Sequence, residues 1–284
     1  MPKIIEKRSL TPITKLFRVE APLIAQAARP GQFVIVRVRE GGERIPLTIA
    51  DYERTSGLVT IVVQEVGATT RRLGRLEPGD QILDMVGPLG NHVEIPSGGH
   101  VIGVGGGFGA AALLCLMREL TERGDKTTIV MGARRQDLLL LVDELRAVCQ
   151  NLELCTDDGS LGFKGFVTER LKQLIAGDGP GRPDHVVAIG PMPMMRAVAD
   201  TTRPHEIHTI VSLDPLMIDG TGMCGGCRVT VDGHVKFACV DGPCFDAHLV
   251  DFDEALRRSK MYVREQDLAA QRLESELQGA THAR

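Results

Sequence analysis

Four of the seven cysteines in this 284-residue chain crowd into the stretch from Cys224 to Cys244. The sequence there runs Asp219-Gly-Thr-Gly-Met-Cys224-Gly-Gly-Cys227, and Cys239 follows, which gives the spacing Asp-x4-Cys-x2-Cys-x11-Cys. A backbone that wraps tightly enough for three thiols and a carboxylate to converge needs residues without a Cβ. Gly220, Gly222, Gly225 and Gly226 supply them. The opening residues, MPKIIEKRSLTPITK, carry no apolar stretch of the kind that directs secretion, so the expected compartment is the cytoplasm and disulfides are not expected. Clustered thiols in that setting indicate metal binding. Three readings stand: an iron–sulfur cluster, a structural zinc site with three Cys and an Asp, and reduced core thiols. Cys244 is either a spare ligand or an unrelated thiol. Cys115, Cys149 and Cys155 lie in apolar contexts and read as core residues.

The rest of the chain carries two patterns. Residues 1–97 hold short β-branched runs at 33–38 and 58–66, with Arg44-Ile-Pro-Leu-Thr-Ile49 between them. The turn Glu77-Pro-Gly-Asp80 precedes a further run at 81–86. Such spacing predicts a small antiparallel barrel. From His100 onward, strands at 100–104, 127–131, 152–155, 186–189 and 207–211 alternate with helices at 110–123, 138–149, 166–176 and 194–201. This alternation predicts a parallel sheet with crossover helices. Residues 214–245 interrupt it with the cysteine loop and two short strands, 228–231 and 234–237, around Asp232-Gly233. Residues 253–277 lack Gly and Pro and predict one terminal helix. The expected fold is thus β plus α/β: an antiparallel barrel at 1–97, a parallel-sheet nucleotide domain at 98–213, and a cluster loop with a terminal helix at 214–284.

Composition narrows the function. Lys and Arg total 33 against 37 acids, and no basic patch with interleaved aromatics occurs, so a nucleic-acid partner is not expected. The most apolar run, 101–117, is too short and glycine-rich for a membrane span.

Candidate ligand contacts follow the strands. Gly103-Val-Gly-Gly-Gly-Phe-Gly109 ends a predicted strand and opens a helix, so Gly105, Gly106, Gly107 and Gly109 are candidates for a pyrophosphate approaching the backbone. Tight strand–helix packing explains the same glycines equally well. In Thr156-Asp-Asp-Gly-Ser160, Asp157 and Asp158 are placed to accept a hydrogen bond from a ribose 2′-OH and to repel a 2′-phosphate; a polar loop is the alternative. Gly190, Pro191 and Met192 follow the next strand, where a plain turn is the alternative. Segments 44–48 and 64–70 offer a cation, hydroxyls and backbone N–H groups, but by pattern alone they are ordinary strand and turn.

Six segments together carry a resemblance: RIPLTIAD at 44–51, VQEVGATT at 63–70, GARRQDLLL at 132–140, TDDGS at 156–160, GPMPMM at 190–195, and DGTGMCGGCRVT with FACVDGP at 219–243. The chain resembles the ferredoxin–NADP⁺ reductase superfamily, and within it the electron-transfer subunits of dihydroorotate dehydrogenase and sulfide dehydrogenase. The loop is similar to that of plant-type [2Fe–2S] ferredoxins, with Asp219 at the place of the first Cys. That replacement favours the electron-bifurcating branch, the NADH-dependent reduced ferredoxin:NADP⁺ oxidoreductases. The resemblance implies FAD in the barrel, with Arg44, Pro46, Leu47 and Thr48 along the isoalloxazine, Gly67, Thr69 and Thr70 at the pyrophosphate, and Gln64 among the cofactor contacts. It implies Asp219, Cys224, Cys227 and Cys239 as ligands of a [2Fe–2S] cluster. Asp157-Asp158 stands where NADP-specific members tend to carry Ser-Arg, which favours NAD(H); Arg134 and Arg135 argue for NADP(H). Two positions depart from the superfamily pattern: Arg44 lies four residues before Thr48 rather than three, and Ala112 stands where relatives often have Pro. The implied activity is an oxidoreductase subunit that exchanges electrons among NAD(H), FAD and the cluster and passes them to a larger flavin/iron–sulfur partner. A stand-alone reductase is the alternative. No general acid or base is implied.

Overall fold

In the computed structural model, which describes residues 1–282, the two sequence patterns become two sheets. The first contains β1 (Lys3–Thr11), β2 (Thr14–Glu20), β3 (Phe33–Arg37), β4 (Arg44–Glu53), β5 (Leu58–Gln64) and β6 (Asp84–Leu89), in the order β1-β2-β5-β4-β3-β6. All its pairs are antiparallel. Two short helices interrupt it, α1 (Pro22–Ala27) and α2 (Ala68–Leu73). The expected barrel is barrel-like but not closed by a continuous ladder. Edge strand β1 reaches the chain just before β6 through the bridge Lys3–Gln81 and the bonds Ile4 N to Asp80 O, 2.9 Å, and Gly79 N to Ile4 O, 2.8 Å. Closure falls to these few bonds because β6 begins only at Asp84, beyond the residues that meet β1. Ile4, Phe17, Val34, Val36, Leu47, Ile49, Ile61 and Leu73 fill its core.

The second sheet has the order β10-β9-β8-β7-β11-β12-β15. Its parallel members are β7 (His100–Gly106), β8 (Lys126–Ala133), β9 (Asn151–Thr156), β10 (Phe163–Lys164), β11 (His185–Ile189) and β12 (His208–Ser212). The crossovers run through α3 (Gly109–Glu122), α4 (Val142–Val148), α5 (Val167–Ile175) and α6 (Met192–Thr202). Side chains alternate across the strands, as a two-residue period requires. Ile102, Val104, Val130 and Val186 pack on the α5 and α6 side, whereas Val101, Ile129, Met131 and Val187 pack on the α3 and α4 side. Burying one such side chain contributes about 1.5–3 kcal/mol, so this two-sided core dominates the sheet's stability.

Three expectations shift. The helix expected at 138–149 opens as a 3₁₀ turn at Gln136–Leu138, and α4 starts only at Val142, after Leu141 adopts φ 55°. The cysteine region holds the hairpin β13 (Arg228–Val231) and β14 (His234–Phe237), turned by Asp232 and Gly233 at positive φ. It also adds β15 (Cys244–Asp246), which pairs antiparallel with β12 and stitches this region onto the nucleotide sheet. The single terminal helix is in fact two, α7 (Phe252–Arg258) and α8 (Val263–His282), separated by Tyr262 at φ 63°. Packing overrides propensity here: Phe252 and Ala255 anchor α7 in the core shared with the cysteine region, while α8 leans on α2 through Arg71–Glu274 (2.5 Å) and Arg72–Glu276. Among the described residues, no helix is long and apolar enough to cross a membrane.

Candidate nucleotide cavity and cluster loop

A cavity of about 550 Å³ opens where the parallel strands end. Ligands gather at such carboxyl ends, where the crossovers leave a crevice. Its walls bring together several candidate residues from distant parts of the chain: Gln64, Gly106, Gly107, Arg134, Asp157 and Pro191. Its other walls come largely from segments that carry no motif. The β1–β2 hairpin contributes Thr11, Ile13 and Thr14, and Phe108 and Phe166 add aromatic surface. Phe166 is 62 % exposed. A large exposed aromatic at a cavity rim is the kind of signal that composition hides.

The glycine run divides into the two roles that the sequence left open. A Cβ on Gly109 would lie 1.8 Å from Ile189 O, so Gly109 serves the packing of α3 on β11. Gly105 likewise packs on Met131 and Leu113. Gly107 adopts φ +52° with nothing within 4 Å of a notional Cβ, and it faces the cavity. Gly107 is thus the member whose open backbone suits a phosphate.

The two aspartates also separate. Asp157 lines the cavity. Asp158 accepts from Ser160 Oγ at 2.6 Å and Ser160 N at 2.9 Å, and these bonds hold its carboxyl below the usual range. It is committed to its own turn. Arg135 pairs with Asp137 at 2.8 Å, whereas Arg134 lines the cavity. Gly190 backs onto Gly106 N and O, and Met192 is buried at the start of α6.

On the barrel-like sheet, strand alternation sorts the flavin candidates. Leu47 and Ile49 point into the barrel core, whereas Pro46 and Thr48 lie on the other face. Their register partners are Ile35 and Phe33, and Arg44 pairs with Arg37. Directly opposed residues share a face. Ile35 and Phe33 belong to the same apolar cluster as Cys227 and Cys239. The strand face carrying Pro46 and Thr48 is therefore the face toward the cysteine region. Behind it, α3 braces β4 through Arg118–Asp51 and through Cys115 Sγ donating to Ile49 O at 3.4 Å. At α2, Gly67 N donates to Thr70 Oγ1 at 2.9 Å, and Thr69 Oγ1 donates to Glu43 at 2.6 Å.

The cysteine loop presents its donors in two pairs. Cys227 Sγ and Cys239 Sγ lie 3.2 Å apart, both buried. Asp219 accepts from Thr221 N at 2.8 Å and from Cys224 N at 2.7 Å, which lowers its pKa. Among the described residues, no three His, Cys, Asp or Glu side chains converge on one metal position. The chemistry of the donor set nevertheless fits an iron–sulfur cluster. Three thiols and a carboxylate are available, and Gly226 N and Cys239 N each approach a cysteine sulfur at 3.5 Å, where they would stabilise thiolate charge. Burial, then the Cys227 thiol beside it, raises the Cys239 pKa, so anionic sulfur in this loop calls for a cation to offset it. The loop abuts the barrel-like sheet: a Cβ on Gly220 would meet Ile35 and Leu89 carbons at 2.8 Å. Cys244 stands apart in β15 opposite Ser212, with its thiol pushed up to about 12 by burial.

A barrel-like sheet, a parallel nucleotide sheet and a cysteine loop on their shared side define an oxidoreductase of the electron-transfer class. Residues 214–251 match the iron–sulfur cluster binding domain of dihydroorotate dehydrogenase B. The chain is 45% identical to the Thermotoga maritima dihydroorotate dehydrogenase B (NAD(+)) electron transfer subunit homolog over 270 residues, 95% of this chain and 94% of that one. An uncharacterized Clostridium beijerinckii protein from the adh 3′ region is 45% identical over 290 residues, covering 100% of this chain and 97% of that one. A solved NADH-dependent reduced ferredoxin-NADP oxidoreductase chain superposes with a TM-score of 0.90 at 44% identity, covering 96% of this chain and 97% of that one. The chain belongs to the family of dihydroorotate dehydrogenase B electron transfer subunits and their homologues.

Proposed function

We propose that this chain is the electron-transfer subunit of a larger flavin/iron–sulfur complex of the NADH-dependent reduced ferredoxin–NADP oxidoreductase kind. It works in the cytoplasm, where its clustered thiols stay reduced. Residues 1–97 hold FAD, 98–213 bind the nucleotide and 214–284 carry the cluster. Arg44, Pro46 and Thr48 offer the flavin ring one strand face, with Leu47 contributing backbone only. Gln64 stands between flavin and nucleotide, and Gly67, Thr69 and Thr70 turn the start of α2 toward the pyrophosphate. Gly106, Gly107, Arg134 and Pro191 hold NAD(H), while Gly105, Gly109, Gly190 and Met192 set the backbone on which they stand. Asp157 accepts from the ribose and repels a 2′-phosphate, so NAD(H) is preferred to NADP(H). Asp219, Cys224, Cys227 and Cys239 ligate a [2Fe–2S] cluster. FAD, once bound, links the two-electron chemistry of the nicotinamide to the one-electron chemistry of the cluster, so no side chain here has to act as acid or base.

The observation that carries this reading is the shared face. Ile35 and Phe33 pack with Cys227 and Cys239 while standing opposite Pro46 and Thr48 in register. Anaerobic purification, with flavin, iron and acid-labile sulfide analysis and then NADH titration followed by absorbance, tests it. FAD with matched iron and sulfide, both bleached by NADH, is expected. Zinc without flavin overturns the reading.

A further inference from the structure

Arg258 ends α7 and reaches into the cysteine loop, where its Nη2 donates to Gly226 O at 3.1 Å. Its Nε is buried, and among the described residues it has no hydrogen-bond partner; no other buried side-chain nitrogen or oxygen is left in that state. A buried cationic donor without an acceptor is costly, so native structures rarely leave one unpaired unless another group completes it. The helix that delivers Arg258 is firmly placed. Asp251 caps its start by accepting from Glu254 N at 2.8 Å, and Asp251 N donates to Thr230 O on β13 at 2.9 Å. Phe252 and Ala255 bury its inner face, and Arg196 pairs with Asp253 at 2.8 Å. The guanidinium is therefore held beside the loop by packing.

The carbonyl it grips lies between two of the proposed ligands. A trans peptide directs its C=O and N–H to opposite sides, so fixing Gly226 O toward Arg258 turns Cys227 N–H away from it. The preceding peptide already presents Gly226 N to Cys224 Sγ at 3.5 Å. One side chain thus holds the last of the peptides linking Cys224 to Cys227.

We propose that Arg258 is a positioning residue of the cluster: it fixes the 226–227 peptide, supplies the free Nε donor to the sulfur-rich loop, and by its charge raises the reduction potential. This inference rests on the cluster reading above. With the cluster bound, an electron taken up there would add one negative charge beside Arg258, with no bond formed or broken, and the same charge would leave when the electron is passed on. A fixed cation beside the loop favours the state with the extra electron. Lys cannot replace the guanidinium fully, because an ammonium is a point charge without the planar fork.

The test is an EPR-monitored redox titration of the holoprotein, with FAD, iron and sulfide measured first. Arg258→Gln should lower the midpoint potential, and Arg258→Lys should lower it less while changing the line shape of the reduced cluster. Arg257→Gln, which removes an exposed charge one residue away, should leave both unchanged. If Arg258→Gln sheds its cluster, Arg258→Lys still decides. Either variant with full cluster content and an unmoved potential and spectrum overturns the proposal. An equal shift from Arg257→Gln also overturns it. Wild-type protein without iron and sulfide would instead sink the cluster reading itself.

Discussion

The cavity at the strand ends and the cysteine loop are two candidate ligand sites of the chain, and they are built in different ways. The ladders of β7, β8, β9 and β11, the close packing of Gly109 on Ile189 and the β1–β2 hairpin shape the cavity, so secondary structure and its packing hold it open. The loop keeps its donors in two pairs, Cys227 with Cys239 and Asp219 with Cys224 N. Neutral groups can be preorganised by a sheet, whereas converging anionic donors repel one another until a cation offsets them. The cavity is thus a property of the fold, and the ligand set is a property of the fold together with its metal.

The largest expected effect breaks the loop and spares the cavity. Cys239→Ser should abolish iron and sulfide content while FAD content and nucleotide affinity stay within about twofold, because sites without shared partners respond independently. Loss of nucleotide binding in that variant would show that the two regions are a single unit. Asp219 refines the same test. Asp219→Asn keeps the acceptor for one loop N–H but removes the anion, so it should lower cluster content less than Asp219→Ala, with FAD retained in both. Equal, full cluster content in the two variants would exclude Asp219 as a ligand.

Next in size is the glycine frame. Gly109→Ala drives a methyl into Ile189 O and should destabilise the protein by roughly 3 kcal/mol in urea unfolding, as overpacking of a rigid backbone contact does. Gly107→Ala meets no neighbour, and its left-handed φ costs only about 1 kcal/mol, but it should weaken NADH binding. If the two variants behave alike, the division of the run into packing and ligand-facing members fails.

Smaller again is the choice of nucleotide. Asp157 and Arg134 line the same cavity with opposite charges. Asp157→Asn should shift the ratio of kcat/KM for NADH over NADPH toward NADPH by about tenfold, the equivalent of about 1.4 kcal/mol. An unchanged ratio would move the discriminating role to Arg134.

These contrasts explain what the sequence could disclose. The alternation of strands and helices after His100 was legible because each element buries a periodic face, and β7, α3, β11 and α6 lie close to where that periodicity puts them. The hairpin of β13 and β14 was legible from Asp232-Gly233, which tolerates the positive φ that the turn requires. The metal-binding character of the loop was legible because closely spaced thiols are themselves the signal, and residues 214–251 match an iron–sulfur cluster binding domain. The β15 pairing, the break at Tyr262, the Thr11 to Thr14 wall of the cavity and the grip of Arg258 on Gly226 were not, since each depends on contacts between segments far apart in the chain. Leu47 shows the limit within a motif: adjacent residues of one strand face opposite ways, so a contiguous segment cannot supply a contiguous lining.

The smallest effect tests whether acid weakens the sheet before the loop. His100 begins β7 at the end opposite the cavity, 6 % exposed, with Nε2 2.9 Å from Thr128 Oγ1 and Nδ1 3.3 Å from Arg182 O. Burial lowers its pKa below 6.5, and the Lys126 charge adds to this, while the Arg182 carbonyl and Asp184 oppose it. The folded protein holds His100 neutral where the unfolded chain would already bind a proton, so its contribution to stability is complete above pH 6.5 and falls as the pH drops below that value. His185 and His248 shift in the same direction, mainly through burial. Asp219, held below the ordinary carboxylate range by the Thr221 and Cys224 N–H groups, stays ionised over the same interval. Urea midpoints should therefore fall between about pH 7.5 and 5.5, and fall less steeply in His100→Gln, while iron content per folded chain stays constant. Parallel pH slopes in the two proteins would remove His100 from the account, and cluster loss that precedes unfolding would place the acid-sensitive element in the loop instead.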